Sequence, residues 1–213
     1  FAAVFATTAL LCLSALAQDI ALPKPETSGG MPLMDALTKR VSTRAFLPKE
    51  LSGQELSNLL WAADGINREN GKRTAPSAKN MQEIDLYVLL KSGVYFYDAK
   101  AHALLQKSKD DVRAFGGIQP FVKDAPVVIV MVVDYTKLAS VSKAQDRRDY
   151  SQVDTGYISQ NIYLYCASKG LATVVLGGVD RNTLAAKMGL KAETQEITYS
   201  QPLGYPDTTR MQR

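Results

Sequence analysis

The sequence predicts an α+β domain built on a mixed sheet, and three observations carry that prediction. Helical and strand patterns interleave without the strict alternation of a doubly wound fold. Two helical segments precede the first strand. The most apolar run, Pro126 to Val133, is a nearly unbroken β-branched stretch of the kind that fills a sheet covered on both faces. With 213 residues, 46% hydrophobic and 22% charged, the chain has the make-up of one globular domain. Its net charge of +4 is spread without a block of like charges, which removes nucleic acid as the default partner. Two cysteines, Cys12 and Cys166, and one histidine, His102, are too few for a four-ligand zinc centre or a disulfide framework, so no metal is expected.

The elements follow in chain order. Phe1 to Ala17 carries no charge and ends in Ala15-Leu16-Ala17, the pattern of a secretory signal peptide cleaved near Ala17. The stretch is short for a membrane span, and Leu11 before Cys12 argues against lipidation, so no stable membrane anchor is expected. Residues 18–30 read as a flexible lead-in and 31–213 as a single domain. Pro32 opens a short helix that runs to Arg40. Ser52 and Glu55 form a capping-box pattern ahead of Leu56, Leu59, Leu60 and Ala63, and Gly65 stops that helix. Ile84–Leu90 and Val94–Tyr97 read as strands about a Ser92-Gly93 turn. Leu104, Leu105 and Val112 predict a helix within 100–114. Val153, Tyr157, Ile158, Ile162, Tyr165 and Cys166 predict a buried helix up to Gly170, on which the tyrosines pack in the core. A core strand over Ala172–Leu176, a helix from Asp180 to Met188 and a short strand at Ile197–Ser200 complete the domain.

Local chemistry is modest. Arg40 and Arg44 flank Ser42, an arrangement that suits a phosphate but equally describes a solvated basic helix end. Pro76 to Gln82 is a polar loop whose Asn80 and Gln82 can either pair with a heterocycle edge or bond their own backbone. Gly177-Gly178 can admit a ligand to the backbone or only turn the chain. No G-x-S-x-G or GxGxxG signature occurs, which leaves hydrolase and Rossmann readings without support.

Taken in order, these pieces resemble the nitroreductase family of FMN-dependent oxidoreductases from about Met31 to Pro206. Arg40-Val41-Ser42-Thr43-Arg44 is similar to the family's phosphate motif, Leu59 to Ile66 to its second helix, and Pro76-Ser77-Ala78-Lys79-Asn80-Met81-Gln82 to its P-S-x-x-N-x-Q loop. Val122 to Pro126 before an apolar strand, Gly170 to Thr173 leading into Leu176-Gly177-Gly178, and Leu203-Gly204-Tyr205-Pro206 continue the pattern. Arg73 to Ala78 and Gly93 to Leu105 resemble the branch that includes azoline-oxidising dehydrogenases of peptide maturation.

The resemblance implies a three-layer α/β/α fold with a central mixed, mainly antiparallel sheet, and a homodimer with FMN at the interface. It implies that Arg40, Ser42 and Arg44 hold the FMN phosphate, and that Pro76, Ser77, Asn80 and Gln82 reach the flavin from the second subunit. The backbone N–H of Leu176 or Gly177 would face flavin N5, Gly178 would shape the same turn, Gln119 would meet the ring, and Arg210 would complete the phosphate site. The implied activity is ping-pong transfer of two electrons from NAD(P)H or another donor to a nitroaromatic, quinone or similar small-molecule acceptor. Glu83 departs from the proline that many members carry after the loop glutamine, and the leader points to a bacterial periplasm. That location keeps a second reading open, an envelope flavin-binding or redox-partner protein without NAD(P)H turnover.

Overall fold

The computed structural model describes residues 18–210; the leader, with its cleavage point, lies outside them. Helix α1 (Leu33–Lys39) and helix α2 (Gly53–Asp64) open the domain. In α2 the expected capping box is formed: the Glu55 N–H donates to Ser52 Oγ at 3.2 Å, and the Ser52 N–H donates to Glu55 Oε2 at 2.8 Å. Each satisfies a backbone or side-chain group that a bare helix end would leave open.

The sheet has seven strands in the order β1-β4-β3-β2-β5-β7-β6, and each pairing is antiparallel. The strands are β1 (Ile20–Ala21), β2 (Ile84–Leu90), β3 (Gly93–Asp98), β4 (Ala103–Ser108), β5 (Val127–Asp134), β6 (Ala172–Thr173) and β7 (Gln195–Gly204). Strand β5 explains the continuous apolar run. Val127, Ile129, Met131 and Val133 face a core shared with α2 and with α3 (Ala144–Lys169), while Val128, Val130 and Val132 face a second core shared with α4 (Arg181–Met188). Alternate side chains on a strand point to opposite faces, so a strand between two helical layers must be apolar throughout.

Four expectations are corrected. Residues 100–114 hold strand β4 and no α-helix. Asp98 Oδ1 accepts the Lys100 and Ala101 N–H groups at 2.8 and 3.0 Å, and His102 takes a left-handed φ of 48°. That turn sends the chain back along β3, with Tyr97 opposite Leu104. The supposed lead-in is tied down: β1 pairs with β4, and the following segment runs along α2. Ser57 Oγ donates to Pro23 O at 2.6 Å, Gln54 Nε2 to Lys24 O at 3.0 Å, and the Glu26 N–H to Asn58 Oδ1 at 2.8 Å. The strand after α3 covers only Ala172–Thr173, with a separate bridge from Leu176 to Ser200, whereas β7 is longer than expected because it pairs along the whole of β5. Finally, α3 is buried on one side only. Ile158, Ile162 and Cys166 are covered, but Val153 and Tyr157 are 53% and 45% exposed. No helix among the described residues is long and apolar enough to cross a membrane.

Candidate functional site

The residues singled out by the sequence fall into two groups at different points along α3. Tyr163 organises the first. Its hydroxyl accepts the Val175 N–H at 2.9 Å and lies 3.0 Å from Ser42 Oγ, and the Arg40 guanidinium stands 5.4 Å from the centre of its ring. The Thr43 N–H donates to Thr173 O at 2.9 Å, which docks the segment after α1 against β6. Ser42 is thereby held between Arg40 and Arg44. Neither arginine has an ion pair or side-chain hydrogen bond among the described residues, so both guanidinium forks remain available to an anion.

One residue beyond Val175 the chain enters the glycine turn. Leu176 exchanges backbone hydrogen bonds with Ser200, at 2.8 and 3.2 Å, so its N–H is already used. Of the two donors that the resemblance offered, Gly177 is the one left: its N–H has no acceptor among the described residues and the residue is exposed. Arg181 steadies the turn by donating to Gly177 O at 3.3 Å, Ile197 O at 2.9 Å and Thr198 O at 2.8 Å. The Ile118 N–H donates to Gly178 O at 2.9 Å and brings Gln119 alongside. A Cβ on Gly178 would come 3.1 Å from Gln119 Nε2 and 3.2 Å from Ile118. Gln119 Oε1 is buried and unpaired. A buried amide oxygen without a donor costs about 1–3 kcal/mol, a cost that a hydrogen-bonding ligand would remove.

The second group is the loop Pro76–Gln82. Ser77 Oγ accepts the Gln82 N–H at 3.0 Å. The Gln82 amide is spent inside the loop, accepting from Arg73 Nε at 3.0 Å and donating to Gly71 O at 3.1 Å and Asn80 Oδ1 at 3.3 Å. Its part is to shape the loop. Lys79, Asn80 and Gln82 have φ values of 51°, 57° and 51°, a left-handed conformation that non-glycine residues adopt at a cost. Asp154 of α3 opposes that cost by accepting the Ala78 N–H at 2.8 Å, as does the Arg73–Asp64 ion pair at 2.6 Å beside the loop. Pro76 and Asn80 are exposed. A groove of about 450 Å³ lies between Pro76, Ser77 and Ala78 and the exposed Val153 and Tyr157.

Asp154 and Tyr163 are nine residues apart, which is about 13 Å along a helix axis. The anion-seeking group and the loop therefore mark separate stretches of the chain. Arg210, expected beside the phosphate, has its charge taken by Asp124 at 2.9 Å and Asp207 at 3.9 Å. Tyr163, Arg181, Asp154 and Glu83 were not recognised as site residues. Only Glu83 stood out in the sequence, as a departure from the proline that many family members carry after the loop glutamine.

The Arg40 and Arg44 guanidinium groups, the Gly177 N–H and the Gln119 oxygen, none of them hydrogen-bonded among the described residues, fit a phosphate-bearing cofactor with a polar ring. They define an α+β protein whose site offers anion-binding and hydrogen-bonding groups rather than a catalytic triad. The nitroreductase family model matches residues 37–205, and the chain belongs to that family of oxidoreductases. It is 31% identical over 183 residues to a nitroreductase relative from Methanocaldococcus jannaschii, spanning 81% of this chain and 90% of that protein. It is 29% identical over 110 residues to the NADPH-flavin oxidoreductase of Vibrio harveyi, spanning 47% of this chain and 45% of that protein. Among solved structures it is similar to a nitroreductase relative from Ralstonia eutropha JMP134, with 41% identity, a TM-score of 0.85 and coverage of 89% of this chain and 90% of that one.

Proposed function

We propose that this protein is a homodimeric FMN-dependent oxidoreductase that takes two electrons from NAD(P)H or another donor and passes them to a nitroaromatic, quinone or similar acceptor. The observation that carries this reading is the pair of arginines flanking Ser42, without ion pairs or side-chain hydrogen bonds among the described residues and linked by Tyr163 to a glycine turn with a free N–H. When bound, FMN supplies a two-electron centre that accepts and releases hydride.

Every other role belongs to the chain. Arg40 and Arg44 neutralise the phosphate and Ser42 adds a hydroxyl. The Gly177 N–H and the Gln119 amide meet the polar edge of the ring, with Gly178 leaving the space they need. Pro76, Ser77 and Asn80 of a second copy complete the pocket, which accounts for the separation of the two groups along α3. Leu33, Met34 and Leu37 on α1 and Val153 and Tyr157 on α3 are exposed apolar side chains that such a copy would cover. The leader supports export to a periplasm, and the segments around Arg73–Ala78 and Gly93–Leu105 support the azoline-dehydrogenase branch.

Replacing Arg40 and Arg44 together with Ala is expected to weaken FMN binding by at least about a hundredfold, since hydrogen bonds to charged groups contribute about 1.5–3 kcal/mol each. Flavin absorbance of the purified double variant reads this directly. Full flavin retention would contradict the phosphate assignment.

A further inference from the structure

Glu83 is the most anomalous side chain in the molecule. It is 0% exposed, and neither carboxyl oxygen has a hydrogen-bond donor on another of the described residues. An isolated buried carboxylate is costly. Lys137, the cation whose charge reaches it, spends its ammonium on Asp85 at 2.6 Å and on Gln82 O at 3.2 Å. The Asp134 N–H donates at 2.8 Å to the Glu83 backbone oxygen, and the carboxyl has only its own backbone N–H to set against its burial. Asp64 and Arg73, beside the loop, pair with each other. What does face the Glu83 carboxyl is Asp154, within hydrogen-bonding contact and itself only 3% exposed.

Two buried carboxyls in contact do not both ionise; one proton lies between them. Asp154 Oδ2 already accepts the Ala78 N–H, so the proton of the pair is placed on Glu83. We propose that Glu83 is a positioning residue for the loop Pro76–Gln82: the proton it shares with Asp154 keeps Asp154 on the Ala78 N–H and so holds the loop in its ligand-binding shape. This rests on the reading of that loop as a flavin contact. Three left-handed residues make the loop dependent on such anchors.

Burial and the Asp154 carboxyl push Glu83 up to about 7. The proton is therefore kept below that pH and lost as pH rises through it, when repulsion between the two carboxylates loosens the grip on Ala78.

Two readouts on the full chain test this. Amide hydrogen exchange over residues 76–82, corrected for intrinsic rate, is expected to lose about tenfold in protection between pH 6 and 8.5 in the wild type, and to stay flat in Glu83→Gln, whose amide donates to Asp154 at every pH. The Kd for FMN is expected to rise over the same range in the wild type but not in the variant. Ionisation of the FMN phosphate, near pH 6, affects both proteins alike. Asp154→Asn, in which the amide donates to Glu83 and its oxygen accepts from Ala78, serves as the second variant and is also expected to be flat. Parallel exchange profiles in wild type and variants would overturn the proposal. Absence of FMN binding at every pH would overturn the proposed function instead, and the exchange data would still decide the role of the pair.

Discussion

At Gly178 the room for a side chain is set by Gln119 Nε2 at 3.1 Å and Ile118 at 3.2 and 3.3 Å, contacts tight enough that even a methyl must displace one of them. Gly178→Val is therefore expected to swing Gln119 out of place and lower FMN affinity at least about tenfold, while the thermal midpoint moves little because the turn is partly exposed. Fluorescence titration with FMN, paired with a melting curve, checks both halves of that expectation. Gly177 differs: its Cβ would meet only the Tyr199 ring, at 3.4 Å, so its importance lies in its N–H. The arginine–serine cluster and the glycine pair were legible in the sequence because each is a short local pattern. Tyr163 was not, since its role arises from contacts with Ser42 and Val175, 121 and 12 residues away. Asp154 likewise acts on Ala78, 76 residues earlier.

Among the elements, α2 is both the best-capped helix and the anchor of the N-terminal segment. Ser57 Oγ donates to Pro23 O and sits 2.7 Å from His102 Nε2, whose other nitrogen is 3.0 Å from the Tyr97 hydroxyl. With the serine proton committed to Pro23, the imidazole donates from Nε2 and accepts from Tyr97 at Nδ1, a neutral tautomer consistent with burial lowering its pKa. Ser57→Ala removes the hydroxyl that bridges Pro23 O and the imidazole and is expected to cost about 1–3 kcal/mol, read as a lower urea midpoint. The elements legible in sequence, α2, β2, β5 and α4, carry their own signals: a capping box, near-continuous apolar runs, and an Asp180 cap with a left-handed Gly189 stop. The misread ones, β4, β1 and the ends of β7, owe their form to neighbouring strands far away in sequence, which no local window contains. Leu104 and Leu105 mimic a helical spacing only because β4 lies near the sheet edge, where one face is less strictly apolar.

At the scale of the whole molecule, buried acids give stability an unusual pH dependence. Glu83 is raised to about 7 from an ordinary value of 4.5, so the native state holds more protons than the unfolded chain between those values, and stability falls as pH rises through the window. His102, lowered by burial, opposes this below about pH 6.5. The comparison of wild type with Glu83→Gln from pH 6.5 to 8 isolates the glutamate: the wild type is expected to lose urea stability over that range and the variant to lose less. In the proposed reading, the division of the site between two stretches of α3 makes assembly a condition for cofactor binding. Val153→Asp combined with Tyr157→Asp places charge on the exposed apolar face beside the loop, and is expected to give a monomer on gel filtration that also loses FMN.

The most direct test of the account is the visible absorbance of the purified protein, residues 18–213, with identification of the flavin released by heat. The account predicts FMN at about one per chain, with the yellow colour lost in the Arg40/Arg44 double variant. A colourless protein that also fails to take up added FMN would contradict it.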